Sequence, residues 1–494
     1  MKYLLLALTT LALFSATHAQ KDSTQFVTTW RTYDSGLGGD STVVIPIDTN
    51  YTYNFDIDWD NDGVFDDIGV TDTAMHTYSD TGTYTVRIKG VFPRYFTFPV
   101  NRKLIALEQW GNNAWLNMEL MFVNLDSLTY NAVDTPNLTF ITSLSGLFVN
   151  NRKFNSDISN WNVSRIKNMN YLFQGCTTFN QPLANWDVSN VVSMGGLFEG
   201  CRNFNQPLNN WVVDSVRNFF NVFRFTSFNQ PLNNWNVENG ELFAKMFEES
   251  PFNQPINNWD VSSAVNTSYM FRDNVAFNQP LDNWQVDSVT TMTKMFENSV
   301  FNQPLPSWNT SNVTRFIEMF RGNTVFNQDL GNWDIPSDFR SQRRMGGMLD
   351  NTNMSTANYD STIIKWARQN EIGVELGALG LSYCLSDSIR NDLITNYFWT
   401  FTGDTLNCLG VGIDETSSLS EAGFSIYPNP TQGEFTLERN LSAKAKELFV
   451  YNMQGQLVYT AVAQNRKQQI DLSGFKSGIY LLRIGEESKR VVVQ

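Results

Sequence analysis

The chain has 494 residues, 42% of them hydrophobic, and a formal net charge of −14. Non-specific nucleic-acid affinity comes from clustered Lys and Arg, so this acidic balance excludes a phosphate-backbone partner. After residue 19 no stretch approaches the ~18 uninterrupted apolar residues of a membrane helix, which argues against a membrane span.

Residues 1–19, MKYLLLALTTLALFSATHA, carry a basic Lys2, an apolar stretch from Tyr3 to Phe14 and small residues at Thr17 and Ala19. That order predicts a secretory signal peptide, and no Cys follows it to take a lipid anchor. His18 leaves with the signal, so a Ser-His-Asp triad or a histidine zinc site would have to be built around His76 alone. His76 opens HTYSDTGTYTVRI, a strand-turn-strand pattern in which a packed sheet histidine is expected.

Residues 20–103 hold period-two segments such as YTYNFDIDW between Gly and Asp turns, which predict a small β-sandwich. HTYSDTGTYTVRI is similar to polycystic-kidney-disease-type (PKD-like) domains. Within DIDWDNDGVFDD, Asp58, Asp60 and Asp62 alternate, followed by Gly63, Asp66 and Asp67. Hard oxygens at alternate positions before a turn glycine suit Ca²⁺, the one cofactor the sequence suggests. Gly69 stands where a Ca²⁺ loop places its bidentate Glu, so affinity would lean on Asp66 or Asp67; a solvated acidic turn is the alternative. An open turn also lacks the desolvation that separates the pKa values of an acid/base pair.

Residues 104–350 are repetitive. Phe-Asn pairs begin at Phe154, Phe179, Phe204, Phe228, Phe252, Phe277, Phe301 and Phe326, and a Trp follows each Phe by seven residues, from Trp161 to Trp333. A period of 24 or 25 residues is the mark of stacked units that share one core. The Trp-x-Val step suggests a short strand, and the later spacing of three, three and one suggests a helical or 3₁₀ segment. The expected fold class is therefore a mixed α/β repeat solenoid of about ten coils, flanked by two small all-β sandwiches. Length changes fall between the late Phe, such as Phe198, and the next Phe-Asn pair, which marks the surface turn. The small Gly240 and polar Thr267 at core positions predict locally looser packing.

The unit F-N-Q-P-L-x-x-W-x-V-S-x-V-x-x-M-x-x-M-F resembles the bacterial surface repeats of the BspA-like leucine-rich repeat family. The resemblance implies a leucine-rich-repeat-type coil in a secreted or surface protein, associated with adhesion and host-protein binding rather than catalysis.

The repeated Asn, from Asn155 to Asn327, reads as structural: stacked amides one coil apart, about 4.8 Å, can bond each other and satisfy turn backbone. The Trp residues read as core. Binding candidates are the outward positions flanking each Trp, namely Asn185, Asp187, Asn210, Asn234, Asn236, Asn258, Asp260, Asn283 and Gln285. They form two polar columns suited to protein or polyhydroxylated ligands, with an inert solvated face as the alternative. Cys176 and Cys201 hold the same position in neighbouring coils, within disulfide reach in an oxidising compartment, so a bridge between them is expected.

Residues 351–409 read as a cap with helix-like stretches at 362–369 and 386–396 and a Cys384–Cys408 bridge. A polar linker, 410–422, leads to 423–494, where YPNP, YNMQGQLV and LSGFKSGIYLLRI alternate strands with turns. This segment resembles the type A C-terminal sorting domain of the Bacteroidetes type IX secretion system, which implies an export address and that machinery as a partner. The expected protein is a secreted or outer-surface, non-enzymatic adhesin that binds a host extracellular protein or glycan; the alternative is a self-associating surface-layer component.

Overall fold

The computed structural model describes residues 22–33, 40–95, 102–336, 344–408, 424–439, 446–452, 456–463, 465–484 and 487–493; the signal peptide and the linker lie outside them. The chain divides into two compact units, Met1–Val411 and Gly412–Gln494.

The first unit begins with β1 (Phe26–Arg31), β2 (Thr42–Ile45), β3 (Asn54–Asp58), β4 (Asp67–Val70), β5 (Ala74–Thr77), β6 (Thr83–Val91), β7 (Leu104–Gln109) and β8 (Thr129–Tyr130). Six of them form one sheet in the order β4-β3-β6-β1-β7-β8, while β2 pairs with β5. Alternation does the sorting: Phe55 and Ile57 on β3 are fully buried, Asn54 is exposed, and Val43, Ile45 and Ala74 from the smaller sheet join the same core. The sheet continues past residue 103, because β7 pairs in parallel with β8, which belongs to the first repeat. A terminal coil has an apolar side with no neighbouring coil to cover it, and here Trp110, Trp115 and Phe122 share one core with the sheet.

The expected mixed α/β solenoid is not what forms. Among the described residues the α-helices are α1 (Thr356–Trp366) and α2 (Asp387–Tyr397), both after the repeats, and no helix or strand longer than a single bridge lies between β8 and α1. Each coil is a run of hydrogen-bonded turns. In the coil of Trp186 they close from Leu197 N–H to Met194 O (3.0 Å), Glu199 N–H to Gly196 O (3.1 Å) and Cys201 N–H to Phe198 O (2.9 Å). Turns that close over three residues reproduce the spacing read as helical, but left-handed residues such as Gly196 (φ 65°) and Gly200 (φ 74°) at the third turn position stop a helix from propagating. The strand expected at Trp-x-Val is likewise replaced by turns, with Trp186 N–H bonded to Leu183 O and Val191 N–H to Val188 O. Alternation there reports which side chains point inward, not whether the backbone pairs.

The coils are joined seven residues after each Trp, where parallel bridges run Asn168, Ser193, Asn218, Leu242, Asn266, Thr291, Arg315. A typical joint includes Met169 N–H to Ser193 O, Tyr171 to Gly195, Phe173 to Leu197 and Gly175 to Glu199, at 2.7–3.0 Å, with Val192 N–H returning to Lys167 O at 2.8 Å. Aromatic columns fill the interior. Phe173, Phe198, Phe223, Phe247 and Phe271 stack at 5.7–5.9 Å between centroids, and Trp211, Trp235, Trp259 and Trp284 at 6.4–6.5 Å. Gly240 does not loosen this core, because the Phe243 ring fills the place of a Cβ, at 2.4 Å. Thr267 is buried with no partner for its hydroxyl.

Helix α1 closes the stack with the bonds of one more coil: Trp366 Nε1 donates to Leu330 O, and Ser355 N–H to Asn327 Oδ1. Strands β9 (Glu375–Gly377), β10 (Ser382–Tyr383), β11 (Thr400–Thr402) and β12 (Thr405–Leu406) complete this cap, and Cys384 is bonded to Cys408 with Cα atoms 5.1 Å apart. The expected Cys176–Cys201 bridge is absent. Both thiols are buried and free, and each donates to a carbonyl of the preceding coil, Phe148 O and Phe173 O, at 3.0 Å. Each thiol is a second donor to its carbonyl, since Phe148 O also accepts Asn151 N–H and Phe173 O accepts Cys176 N–H.

The second unit contains β13 (Phe424–Tyr427), β14 (Glu434–Arg439), β15 (Lys446–Tyr451), β16 (Leu457–Ala463), β17 (Lys467–Asp471), β18 (Gly478–Ile484) and β19 (Glu487–Val493). Sheets ordered β13-β14-β17 and β16-β15-β18-β19 enclose a separate core that includes Phe435, Leu437, Leu448, Val450, Leu482 and Val491.

Candidate binding surface

The FNQPL letters do their work inside the scaffold. At every joint from Asn155 to Asn327 the Asn Oδ1 accepts the backbone N–H of the next coil's Asn, for example Asn229 N–H to Asn205 Oδ1 and Asn253 N–H to Asn229 Oδ1, both 2.9 Å. The Gln that follows donates Nε2 to the same residue one coil back, as Gln254 does to Asn229 O and Oδ1 at 3.1 Å. Each repeated Trp is at most 3% exposed and donates Nε1 to the preceding coil, Trp235 to Leu208 O at 2.9 Å. These bonds satisfy turn backbone that stacking removes from water.

All nine Trp-flanking candidates are exposed: Asn185, Asn210, Asn234, Asn258 and Asn283 before the Trp, and Asp187, Asn236, Asp260 and Gln285 after it. In-register stacking of the Trp rings holds them as two outward columns. Val212 breaks the second column, 51% exposed. Several of these side chains also have local partners. Asp187 and Asp260 accept the N–H of Ser189 and Ser262, and Asn236 that of Glu238, each closing an Asx turn. The Ser189 and Ser262 hydroxyls and N–H groups hold the two carboxyls below the ordinary range. Asn258 donates to Asn233 O at 2.7 Å. Asp187, Asp260 and Asn236 remain exposed while one oxygen of each closes its turn.

Other candidates separate by position. His76 stacks on Trp59 (5.2 Å) and meets Tyr78 edge-on (4.5 Å), so it is a packed sheet residue. Burial pushes the thiols of Cys176 and Cys201 upward, which keeps them protonated and unreactive. In the acidic loop, carboxylate oxygens of Asp58, Asp60 and Asp66 come within 4.8 Å of one another. Asp62 instead accepts from Val64 N–H, and Asp67 from Trp59 Nε1.

Sequence reasoning passed over a second face. Thirteen residues after the Trp, signs alternate coil by coil through Glu199, Arg224, Glu248, Arg272, Glu297 and Arg321. Arg224 bridges Glu199 (2.9 Å) and Glu248 (2.6 Å), and Arg272 reaches Glu248 at 2.7 Å. Burial raises the Glu248 pKa even though both guanidinium groups oppose the shift. Tyr171, Phe220, Lys245 and Tyr269 lie at the neighbouring positions, with Lys245 Nζ 5.9 Å from the Phe220 ring and 5.2 Å from that of Tyr269. Alternating charge at a fixed repeat position was the available signal.

Residues 116–227, 221–300 and 282–371 match the family described as "Mycoplasma protein of unknown function, DUF285", and together these stretches span more than half of the sequence. The chain belongs to this family. The DUF285 repeats are followed, at residues 425–494, by a match to the secretion system C-terminal sorting domain. This DUF285 protein is therefore exported by type IX secretion, to the cell surface or beyond it, and its sorting domain engages that machinery. Among the described residues no helix is long and apolar enough to cross a membrane. Beta-agarase A of Zobellia galactanivorans is 25% identical over 150 residues, 30% of this chain and 26% of that protein. The chain thus spans about a quarter of the length of that curated relative. No solved structure matches it.

Proposed function

We propose that this exported DUF285 protein is a non-enzymatic adhesin whose Trp-flanking columns bind a host extracellular protein or a glycan. The observation that carries the reading is the pairing of a rigid joint with an exposed polar exterior. Asn, Gln and Trp are consumed between coils, while Asn185, Asp187, Asn210, Asn234 and their equivalents stay exposed in register. Short amides and carboxylates on a preorganised surface lose little side-chain entropy when they bind. The β-agarase match is compatible with a polysaccharide-rich setting; no activity is carried over from it. Loop residues Asp58, Asp60 and Asp66 are proposed to hold Ca²⁺ and to stiffen the N-terminal sheet.

The test uses the mature full-length protein on an array of matrix proteins and glycans at monomer dilution. Binding that disappears on replacing Asn185, Asp187, Asn210 and Asn234 by Ala, with an unchanged melt, supports the reading. Concentration-dependent assembly with no array signal would replace it by self-association, and equal binding by the variant would reject the columns.

A further inference from the structure

We propose that the bridge-bearing face is an aromatic track for an extended, uncharged polysaccharide, with Tyr171, Phe220 and Tyr269 as successive platforms. This goes beyond the Trp-flanking columns to a different part of each coil. Tyr171 and Tyr269 hold the same repeat position, Phe220 lies one residue before it in the coil midway between them, and Phe220 and Tyr269 are half-buried. Two coils at strand-like spacing are about 10 Å, close to the length of one disaccharide along an extended chain.

Tyr171 has the most distinctive setting. Its ring lies on Gly196, where a Cβ would sit 2.4 Å from Cδ1 and 2.6 Å from Cε1, and the residue is 37% exposed. Glycine therefore provides a flat seat that leaves the ring presented to solvent. The left-handed backbone is common to this repeat position, at Tyr171 and Tyr269 (φ 57° and 61°) as at Gly196, Asn221, Lys245 and Lys294 (φ 56–65°), so the aromatic coils differ from the others in their side chains alone. Tyr171 and Phe220 are flanked by groups able to bond hydroxyls: Asn170 and Asn218, both linked to Ser193 Oγ, and Gln174, linked to Glu199.

Charge selects the class of polymer. Arg224, Arg272, Lys294 and Arg321 each have carboxylate partners, and Lys245, between two of the rings, also acts on Glu248; Lys245 and Arg272 both lie within 6 Å of the Tyr269 ring. A protein of net charge −14 with a compensated ladder gains little from a polyanion. Ring faces and amides suit a neutral chain.

The test is affinity electrophoresis of the mature full chain in gels containing hydroxyethylcellulose, xyloglucan, galactomannan or agarose, with alginate as the acidic comparator. Retardation by a neutral polymer is expected to be insensitive to salt, about tenfold weaker in Tyr171→Ala and retained in Tyr171→Phe. Retardation by none of the four, equal retardation of Tyr171→Ala, or salt-sensitive retardation by alginate alone would overturn the track. Failure here with array binding lost in the Asn185/Asp187/Asn210/Asn234 variant leaves the adhesin reading standing. Retardation through Tyr171 with unaltered binding by that variant keeps the track and rejects the columns.

Discussion

Asn229 is the most informative position at which to break a joint. Its Oδ1 accepts the Asn253 N–H at 2.9 Å and Gln254 Nε2 at 3.1 Å. Asn229→Ala removes both acceptor contacts, but the losses are unequal. Gln254 keeps the Asn229 carbonyl at 3.1 Å, whereas the partly buried Asn253 N–H has no replacement. An unmade bond of that kind costs roughly 1–3 kcal/mol, so about 2 kcal/mol is expected from this variant. The mutated coil belongs to the unit Met1–Val411, for which an unfolding entropy of ~2.1 cal/mol/K per residue gives about 1.2 °C per kcal/mol, so melting should fall by about 2–3 °C. Asn229→Asp retains the acceptor oxygen and should recover most of the loss. Thermal melts combined with amide exchange at Asn253 measure both effects. If Asn229→Ala melts and exchanges like the parent protein yet binds less ligand, the Asn column recognises a partner and the structural account of it is wrong.

Four further outcomes are expected. The Asp187 carboxyl lies below its ordinary value of 3.8 because Ser189 donates to it; its contribution to stability is present above that value and is lost as pH falls through the folded-state pKa. NMR titration of Ser189→Ala should move the Asp187 carboxyl back up, and an unmoved titration would assign the shift to another cause. Opening the Cys384–Cys408 bridge, 24 residues apart, should cost about 3 kcal/mol on loop entropy in urea melts of Cys384→Ser, while Cys176 and Cys201 should react with thiol reagents only after unfolding; labelling of the native protein would contradict their burial. Ca²⁺ at about a hundred times its Kd should add about 2.7 kcal/mol, and Asp58→Asn should abolish that gain; a melt indifferent to Ca²⁺ would remove the metal from the loop.

The sequence made the period, the inward-facing residues and the export domain legible, because each repeats a pattern that burial or turns impose. Phe, Leu, Trp and Val recur where side chains must point inward, and FNQPL recurs because Asn and Gln must meet the preceding coil. Backbone path was less legible. Consecutive turns and a 3₁₀ segment share a three-residue spacing, and what separates them is the sign of φ at residues such as Tyr171 and Lys245, which no side-chain pattern announces. The boundary at residue 103 was hidden for a related reason: β8 pairs with β7 through two backbone residues inside the first coil. Cys176 and Cys201 were placed correctly as neighbours in register, but the choice between a bridge and two carbonyl acceptors depends on where Phe148 O and Phe173 O point.

The central claim is that the repeated FNQPL and Trp residues join coils while the exposed Trp-flanking residues bind. It is tested most directly by one binding isotherm measured for two variants at a temperature where both are folded, using a ligand found on the array. The account predicts that the Asn185/Asp187/Asn210/Asn234 variant loses binding at an unchanged melting temperature, whereas Asn229→Ala melts earlier and binds as the parent does. Loss of binding in Asn229→Ala together with full binding by the fourfold variant would contradict it.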